Sequence, residues 1–296
     1  MKRFSVMWTL LYTLVLMTFT GYAVADTFLI RTAYGKMVSD DEESVPEDTA
    51  SSSEETRDTA ASESKITLNT YREYDTTIYV AEIEADSVTA IRTAFAEDTY
   101  GKNITDKTSA IAEAADAILA INGDYYGTRE SGYVIRNGVL YRSNGAKDQE
   151  DLVIYQDGSF EIINESEISA EELLDKGAWQ VFSFGPGLLE DGEISVSTSD
   201  EVDRAMRSNP RTAIGILENG NYVFVVSDGR TSESEGLSLY ELAEFLQSLG
   251  VTEAYNLDGG GSSTMVYEGE VVNNPTTGHS IKERAVSDIV YIGGEE

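Results

Sequence analysis

The run "NYVFVVSDGRTSESEGLSLYELAEFLQSLGVTEAYNLDGGGSS" (residues 221–263) decides the fold. Tyr222, Val223, Phe224, Val225 and Val226 form an apolar segment that ends in Ser227 and Asp228. Branched and aromatic side chains suit a pleated, half-buried strand. A helix is predicted over residues 239–249. Ser238 and Glu241 supply a capping box, Leu239, Leu242, Ala243, Leu246 and Leu249 recur on one face, and Gly250 stops it. A second strand-like run, residues 254–257, then delivers Asp258 to three glycines and two serines. As a strand–helix–strand crossover, this unit would run its two strands parallel and bring Asp228 and Asp258 out at one sheet edge. Ligands in such arrangements bind outside the carboxyl ends of strands.

Outward from this unit the chain alternates strands with a few helices. "TIYVAEIEA" alternates like a strand, and residues 106–116 read as a helix that either runs on through Ile118 or gives way to a strand over 117–121. Asn137-Gly138 and Asp157-Gly158 mark hairpins, and "TAIGILENGNYVFVVSDGR" is a third. Ser169 and Glu172 cap a short helix that stops at Gly177. Hairpin-linked strands with few helices predict an α+β fold with mixed or antiparallel sheets, as one domain over residues 66–296.

The N-terminus has a different composition. Lys2 and Arg3 precede an uncharged, mostly apolar stretch over residues 4–25 that closes in Ala23-Val24-Ala25. That pattern fits a signal peptide, and its length is also about the roughly 20 residues a membrane-spanning helix requires. Residues 39–65 are acidic and rich in Ser, Thr and Ala, a composition unable to offset ordering entropy by burial. A self-repelling spacer between a membrane and a folded domain favours a retained anchor over residues 1–38. The expectation is an extracytoplasmic domain that touches membrane only through this N-terminal segment.

Composition removes several chemistries. Acidic residues number 53 against 21 basic ones, a formal net charge of −32. Such a surface repels nucleic acid, so no nucleic-acid partner is expected. There is no cysteine and a single histidine, His279. A thiol nucleophile, a histidine triad or a multi-histidine zinc site therefore has nothing to build on.

Three strand-like runs end in a carboxylate and small residues: Asn122 and Asp124 in "ILAINGDYYG", Asp228 and Arg230 in "YVFVVSDGR", and Asn256 and Asp258 in "EAYNLDGGGSS". Each aspartate alone is common turn chemistry, but three sharing one pattern point to a site. Bare glycines let backbone N–H groups approach a ligand, and serine hydroxyls add donors. Gly259, Gly260, Gly261, Ser262 and Ser263 therefore suit a ligand bearing hydroxyls and an anion. No Walker lysine and no dinucleotide-type glycine pattern accompany them. Arg211, with Arg207 in "RSNPRTAIG", could fork onto a phosphate or carboxylate, or form a structural ion pair in so acidic a protein. Arg230 and Arg284 are weaker versions of the same case. Gly185-Pro186-Gly187 reads as a rigid turn or a pocket wall, and Tyr125 and Tyr126 as packing or a sugar-stacking surface. His279 lies in a polar loop, where a histidine is usually solvated.

"NPRTAIGI", "VVSDGR", the capped helix, "AYNLDGGGSSTMVYEGEVVN" and "ERAVSDIVYI" together resemble the phosphodiester glycosidase family. "AINGDYYG" and "FGPGLLEDG" extend the resemblance over most of residues 120–292. Family members often carry a second glycine where this chain has Asp124. The resemblance implies hydrolysis of a sugar-1-phosphodiester, in which a phosphomonoester leaves so readily that a histidine-poor site suffices. It implies Asp258 and Asp228 as the working carboxylates and Arg211 as the phosphate clamp. Asn122, Asp124, Asn256, Gly185, Arg230 and the glycine–serine run would hold sugar hydroxyls or phosphate oxygens.

No cofactor is expected, although a divalent cation such as calcium stays open. Two other classes use the same residues. A non-catalytic glycan-binding envelope domain would bind without releasing sugar, and a metal-dependent phosphodiesterase would release a sugar phosphate and stop with chelator.

Overall fold

The computed structural model describes residues 2–37, 64–197, 208–278 and 280–293. Arg207, His279 and nearly all of the acidic stretch lie outside the described residues.

The 221–263 unit forms the centre of a seven-stranded sheet. Its order is Glu193–Ile194, Gly187–Glu190, Val251–Asn256, Arg211–Leu217, Tyr222–Ser227, Thr76–Glu84, Lys65–Glu73. Arg211–Leu217 lies between Tyr222–Ser227 and Val251–Asn256 and is antiparallel to both. The two flanking strands therefore run in the same direction without touching. Asp228 and Asp258 leave the sheet at the same edge, one strand apart.

The connecting helix is Leu239–Ser248, with the capping box of Ser238 and Glu241 in place and Gly250 at φ +81°. Its Leu242, Ala243 and Leu246 pack on Ala213, Val223, Val225 and Ala254. Phe224 and Val226 point the other way, as strand alternation requires, and meet a second layer. Burial of each such side chain is worth about 1.5–3 kcal/mol.

The second layer is two five-stranded sheets. One runs Phe160–Asn164, Glu150–Tyr155, Ala178–Phe182, Val134–Arg136, Val139–Arg142; the other runs Glu270–Val271, Met265–Tyr267, Ala117–Asn122, Asp288–Gly293, Ile91–Phe95. Ile121, Val290, Leu152, Ile154 and Phe182 join Phe224, Val226 and Tyr255 in the largest core. Asn137 and Gly138 both adopt positive φ at their hairpin, as an Asn-Gly two-residue turn demands. Residues 106–116 resolve into the helix Thr108–Ala114 followed by the strand Ala117–Asn122. All strand pairings among the described residues are antiparallel, and with four α-helices the fold is α+β.

The apolar N-terminal stretch is one helix, Lys2–Phe28, with Leu14, Met17 and Phe19 exposed. Among the described residues no helix is long and apolar enough to cross a membrane. The retained-anchor expectation gains no support there. The segment is tied to the domain by strand Thr32–Lys36 pairing with Thr99–Lys102, and by Lys102 on Asp26 at 3.1 Å.

Candidate active site

Three strand ends converge at the edge that carries Asp258. Asn122 closes Ala117–Asn122, and its amide donates to the carbonyls of Asp258 at 2.6 Å and Gly123 at 3.2 Å. Its oxygen accepts from the Thr212 hydroxyl at 2.8 Å and the Thr264 N–H at 3.2 Å. The Asp258 N–H in turn donates to the Gly123 carbonyl. The edge of the seven-stranded sheet is thereby fastened to a strand of the second layer, and Asn122 is fully committed to that joint.

The glycines after Asp258 each pass beside a different arginine. A Cβ on Gly259 would lie 4.0 Å from the Arg211 Cδ, one on Gly260 would lie 2.7 Å from the Arg230 Nη2, and one on Gly261 would lie 3.5 Å from the Arg284 Cδ. Gly260 also has φ +66°, a left-handed backbone that side chains resist. The bare main chain thus lets three arginine side chains pass close to one turn.

Asp258 is 8% exposed, and its contacts gather on one oxygen. Oδ2 accepts from the Ser262 hydroxyl at 2.5 Å and from Arg284 Nη2 at 3.0 Å. Arg284 also donates to the Ser262 hydroxyl from Nε at 2.9 Å and Nη2 at 2.6 Å. Burial pushes the Asp258 carboxyl above its ordinary range, opposed by the Arg284 charge and the Ser262 hydroxyl. The group opens into a cleft of about 230 Å³ whose walls include Asn103, Asp124, Tyr125, Thr128, Arg284 and Ser287. Tyr125, 40% exposed, is part of that lining.

The other predicted residues surround this point in different roles. Asp228 accepts from the Asn274 N–H at 2.7 Å and its amide at 2.9 Å, with Asn273 and the Tyr79 hydroxyl at 3.5 Å. Burial, with the Asp228 charge second, pushes the Tyr79 hydroxyl up to about 12. Asn273 continues to the Ser263 carbonyl at 3.0 Å, so Asp228 braces the far end of the glycine–serine run. Arg211 donates from Nε to the Leu237 carbonyl at 2.8 Å and is buried. Arg230 donates to the Asn209 amide oxygen from Nε at 3.2 Å and Nη2 at 2.9 Å. Burial and then the neighbouring Arg284 charge lower its pKa. Asn256 holds the Gly185 carbonyl at 2.8 Å, fixing the turn at Gly185 and Pro186 behind the sheet edge.

Asp124 lines the cleft but turns its carboxylate inward. It accepts from the N–H groups of Tyr126 and Ser183, both at 3.0 Å, and from Arg136 Nη2 at 2.8 Å. Arg136 is fully buried and also holds Asp288 Oδ2, through Nε at 3.0 Å and Nη2 at 2.9 Å. Asp288 occupies the place a Cβ on Gly123 would take, and Ser287 does the same at Gly127. The glycines of "AINGDYYG" thus admit the "SD" of "AVSD". Burial pushes the Asp288 carboxyl up, against the Arg136 charge. Sequence reasoning missed Arg136 and Asp288, because an arginine in a polar hairpin signals an outward charge. Arg284 was visible only as a lesser copy of Arg211. Among the described residues no three His, Asp or Glu side chains gather around one point in a way that could hold a metal ion.

Comparison with known proteins shows the family and the fold. The phosphodiester glycosidase family profile matches residues 115–293. The SPbeta prophage-derived uncharacterized protein YomE of Bacillus subtilis is 32% identical over 65% of this chain and 30% of its own length. The human N-acetylglucosamine-1-phosphodiester α-N-acetylglucosaminidase is 32% identical over 56% of this chain and 35% of its own. The chain thus spans about a third of the length of these curated relatives. The auto-inhibited catalytic domain of zebrafish N-acetylglucosamine-1-phosphodiester α-N-acetylglucosaminidase shares the fold. Its TM-score is 0.63 at 21% identity, over 90% of this chain and 88% of that one. A putative exported protein of Burkholderia pseudomallei matches at TM-score 0.54 and 15% identity, over 74% of each chain. With the family profile covering more than half of its residues, the chain belongs to the phosphodiester glycosidase family.

Proposed function

We propose that the protein hydrolyses sugar-1-phosphodiesters between the sugar C1 and the bridging oxygen. Water supplies a hydroxyl to C1, the C1–O bond breaks, and the phosphate departs as a monoester with the released proton passing to solvent. The observation that carries this reading is Asp258, the cleft carboxylate, held beside an arginine-lined glycine turn. Asp258 is assigned the charge-stabilising or water-activating role at C1, where positive character develops as the bond breaks. Arg284 and Arg230 neutralise the phosphate, Ser262 orients both Asp258 and Arg284, and Tyr125 faces the sugar ring. Asp228, Asn122 and Asn256 fix the loops that present these groups, and Arg211 sets the path of the glycine turn.

The sugar class is proposed as an α-linked N-acetylhexosamine, by analogy with the named relatives. The N-terminal basic head and apolar helix support an extracytoplasmic location, with an envelope or extracellular phosphoglycan as the natural substrate. Incubation with methyl-phospho-N-acetylglucosamine in ¹⁸O-water tests the reaction. Free sugar labelled at C1, with unlabelled methyl phosphate, is the expected outcome. Release of sugar 1-phosphate would assign the protein to phosphodiesterases instead, and binding without release would make it a glycan-binding module.

A further inference from the structure

Arg284 has two claims on it. Its Nη2 reaches Asp258 Oδ2 at 3.0 Å, the Ser262 hydroxyl at 2.6 Å and the Gly259 carbonyl at 3.3 Å. Yet its side chain is 43% exposed, against 12% for that of Asp258. The carboxylate is fixed in the wall, whereas the guanidinium sits on a long stem at the mouth of the cleft. Across Gly260 stands Arg230, whose acceptor is the neutral Asn209 amide oxygen. The two arginines flank consecutive glycines and the Arg284 charge lowers the Arg230 pKa, yet among the described residues only Arg284 of the two is paired with a carboxylate. An anion entering between them relieves that repulsion and competes with Asp258 for Arg284.

We propose that Arg284 is an anion-operated gate on Asp258, which makes the site selective for glycosides whose leaving group is a phosphate. With the cleft empty, the ion pair mutes the charge of Asp258. A phosphodiester drawn between Arg230 and Arg284 takes the guanidinium, and Asp258 keeps only the Ser262 hydroxyl. Its full negative charge then faces C1 of the same substrate. A neutral glycoside binds with the pair intact and meets a silenced carboxylate. Specificity here comes from releasing a group as well as from holding the phosphate. The other carboxylates nearby do not compete for this role, since Asp124 and Asp288 are both held by buried Arg136.

This inference rests on the phosphodiester glycosidase reading but has its own test. The wild-type protein and Arg284→Gln are compared on methyl-phospho-N-acetylglucosamine and on neutral 4-nitrophenyl α-N-acetylglucosaminide, with and without added inorganic phosphate. Wild-type turnover of the neutral glycoside should rise saturably with phosphate, and Arg284→Gln should show no such rise. The variant should lose about 100-fold or more on the diester while its rate on the neutral glycoside increases. The acid limb of its kcat/KM profile should move up by roughly one pH unit or more, since an opposite charge has left Asp258. Thermal melting checks that the variant is folded, and Arg230→Gln, which removes only the second guanidinium, should weaken the phosphate response without moving the acid limb. Equal losses on both substrates, or a wild-type rate on the neutral glycoside that phosphate leaves flat or lowers, would overturn the gate. If the wild type released no sugar from the diester at all, the underlying reading would fail instead.

Discussion

The Asn122 side-chain amide donates to the Asp258 main-chain carbonyl at 2.6 Å, across 136 positions of sequence. One short side chain sets where the Asp258 strand end lies relative to the second layer. Replacement by Ala strands the Asp258 carbonyl, the Thr212 hydroxyl and the Thr264 N–H in a buried place. An unsatisfied buried polar group costs about 1–3 kcal/mol, and local rearrangement recovers part of that. Asn122→Ala should therefore lower the unfolding free energy by about 3 kcal/mol, read as a lower urea midpoint at unchanged slope. An unchanged midpoint would mean that the joint holds nothing.

Asp258→Asn keeps the size of the side chain and a hydrogen-bond acceptor for Ser262 while removing the charge. If Asp258 activates water or stabilises C1, sugar release should fall by about 10²–10⁴-fold. The thermal midpoint should stay close to that of the wild type, because burial already works against the charged form. Full turnover in a folded Asp258→Asn protein would remove the residue from the mechanism.

Local chemistry decided what could be read from the chain. The Asn137-Gly138 turn, the capped 239–249 helix and the shared edge of Asp228 and Asp258 follow from adjacent residues. The insertion of Arg211–Leu217 between the two crossover strands does not. A hairpin pattern states which strands are joined, but not which free edge a third strand takes. Carboxylate roles were ambiguous for a similar reason. Asp228 and Asp258 both end strands before glycine, and only Asn273 and Asn274, over forty positions away, turn Asp228 into a brace. Long guanidinium stems blurred the arginines further, since their reach depends on loop paths rather than on spacing.

Gly260→Ala separates backbone strain from site damage when compared with Gly192→Ala. Both glycines have positive φ, +66° and +77°, but a Cβ on Gly192 meets nothing within 4 Å. Each substitution should cost about 1–2 kcal/mol for forcing alanine into the left-handed region. Only Gly260→Ala should also displace Arg230 and raise KM for the phosphodiester. Parallel losses of activity in the two variants would disconnect the glycine turn from phosphate binding.

Asp151 should make stability fall as pH rises. It is fully buried in the Glu150–Tyr155 strand, next to Glu165, whose own oxygens accept from the N–H groups of Tyr133 and Ala146 and from the Ser183 hydroxyl. Burial, reinforced by Glu165, pushes the Asp151 carboxyl up to about 10. The unfolded chain would release that proton near pH ~3.9. Between those values the folded state binds one proton more than the unfolded state, so this contribution is complete below the lower value. It declines through neutral pH and is exhausted as pH passes about 10. Asn at this position keeps the size of the side chain and removes the titration. Urea midpoints measured from pH 5 to 9 should therefore slope down less steeply for Asp151→Asn than for the wild type, with the two curves separating most at the alkaline end. Parallel curves would show that Asp151 is already ionised in the folded protein.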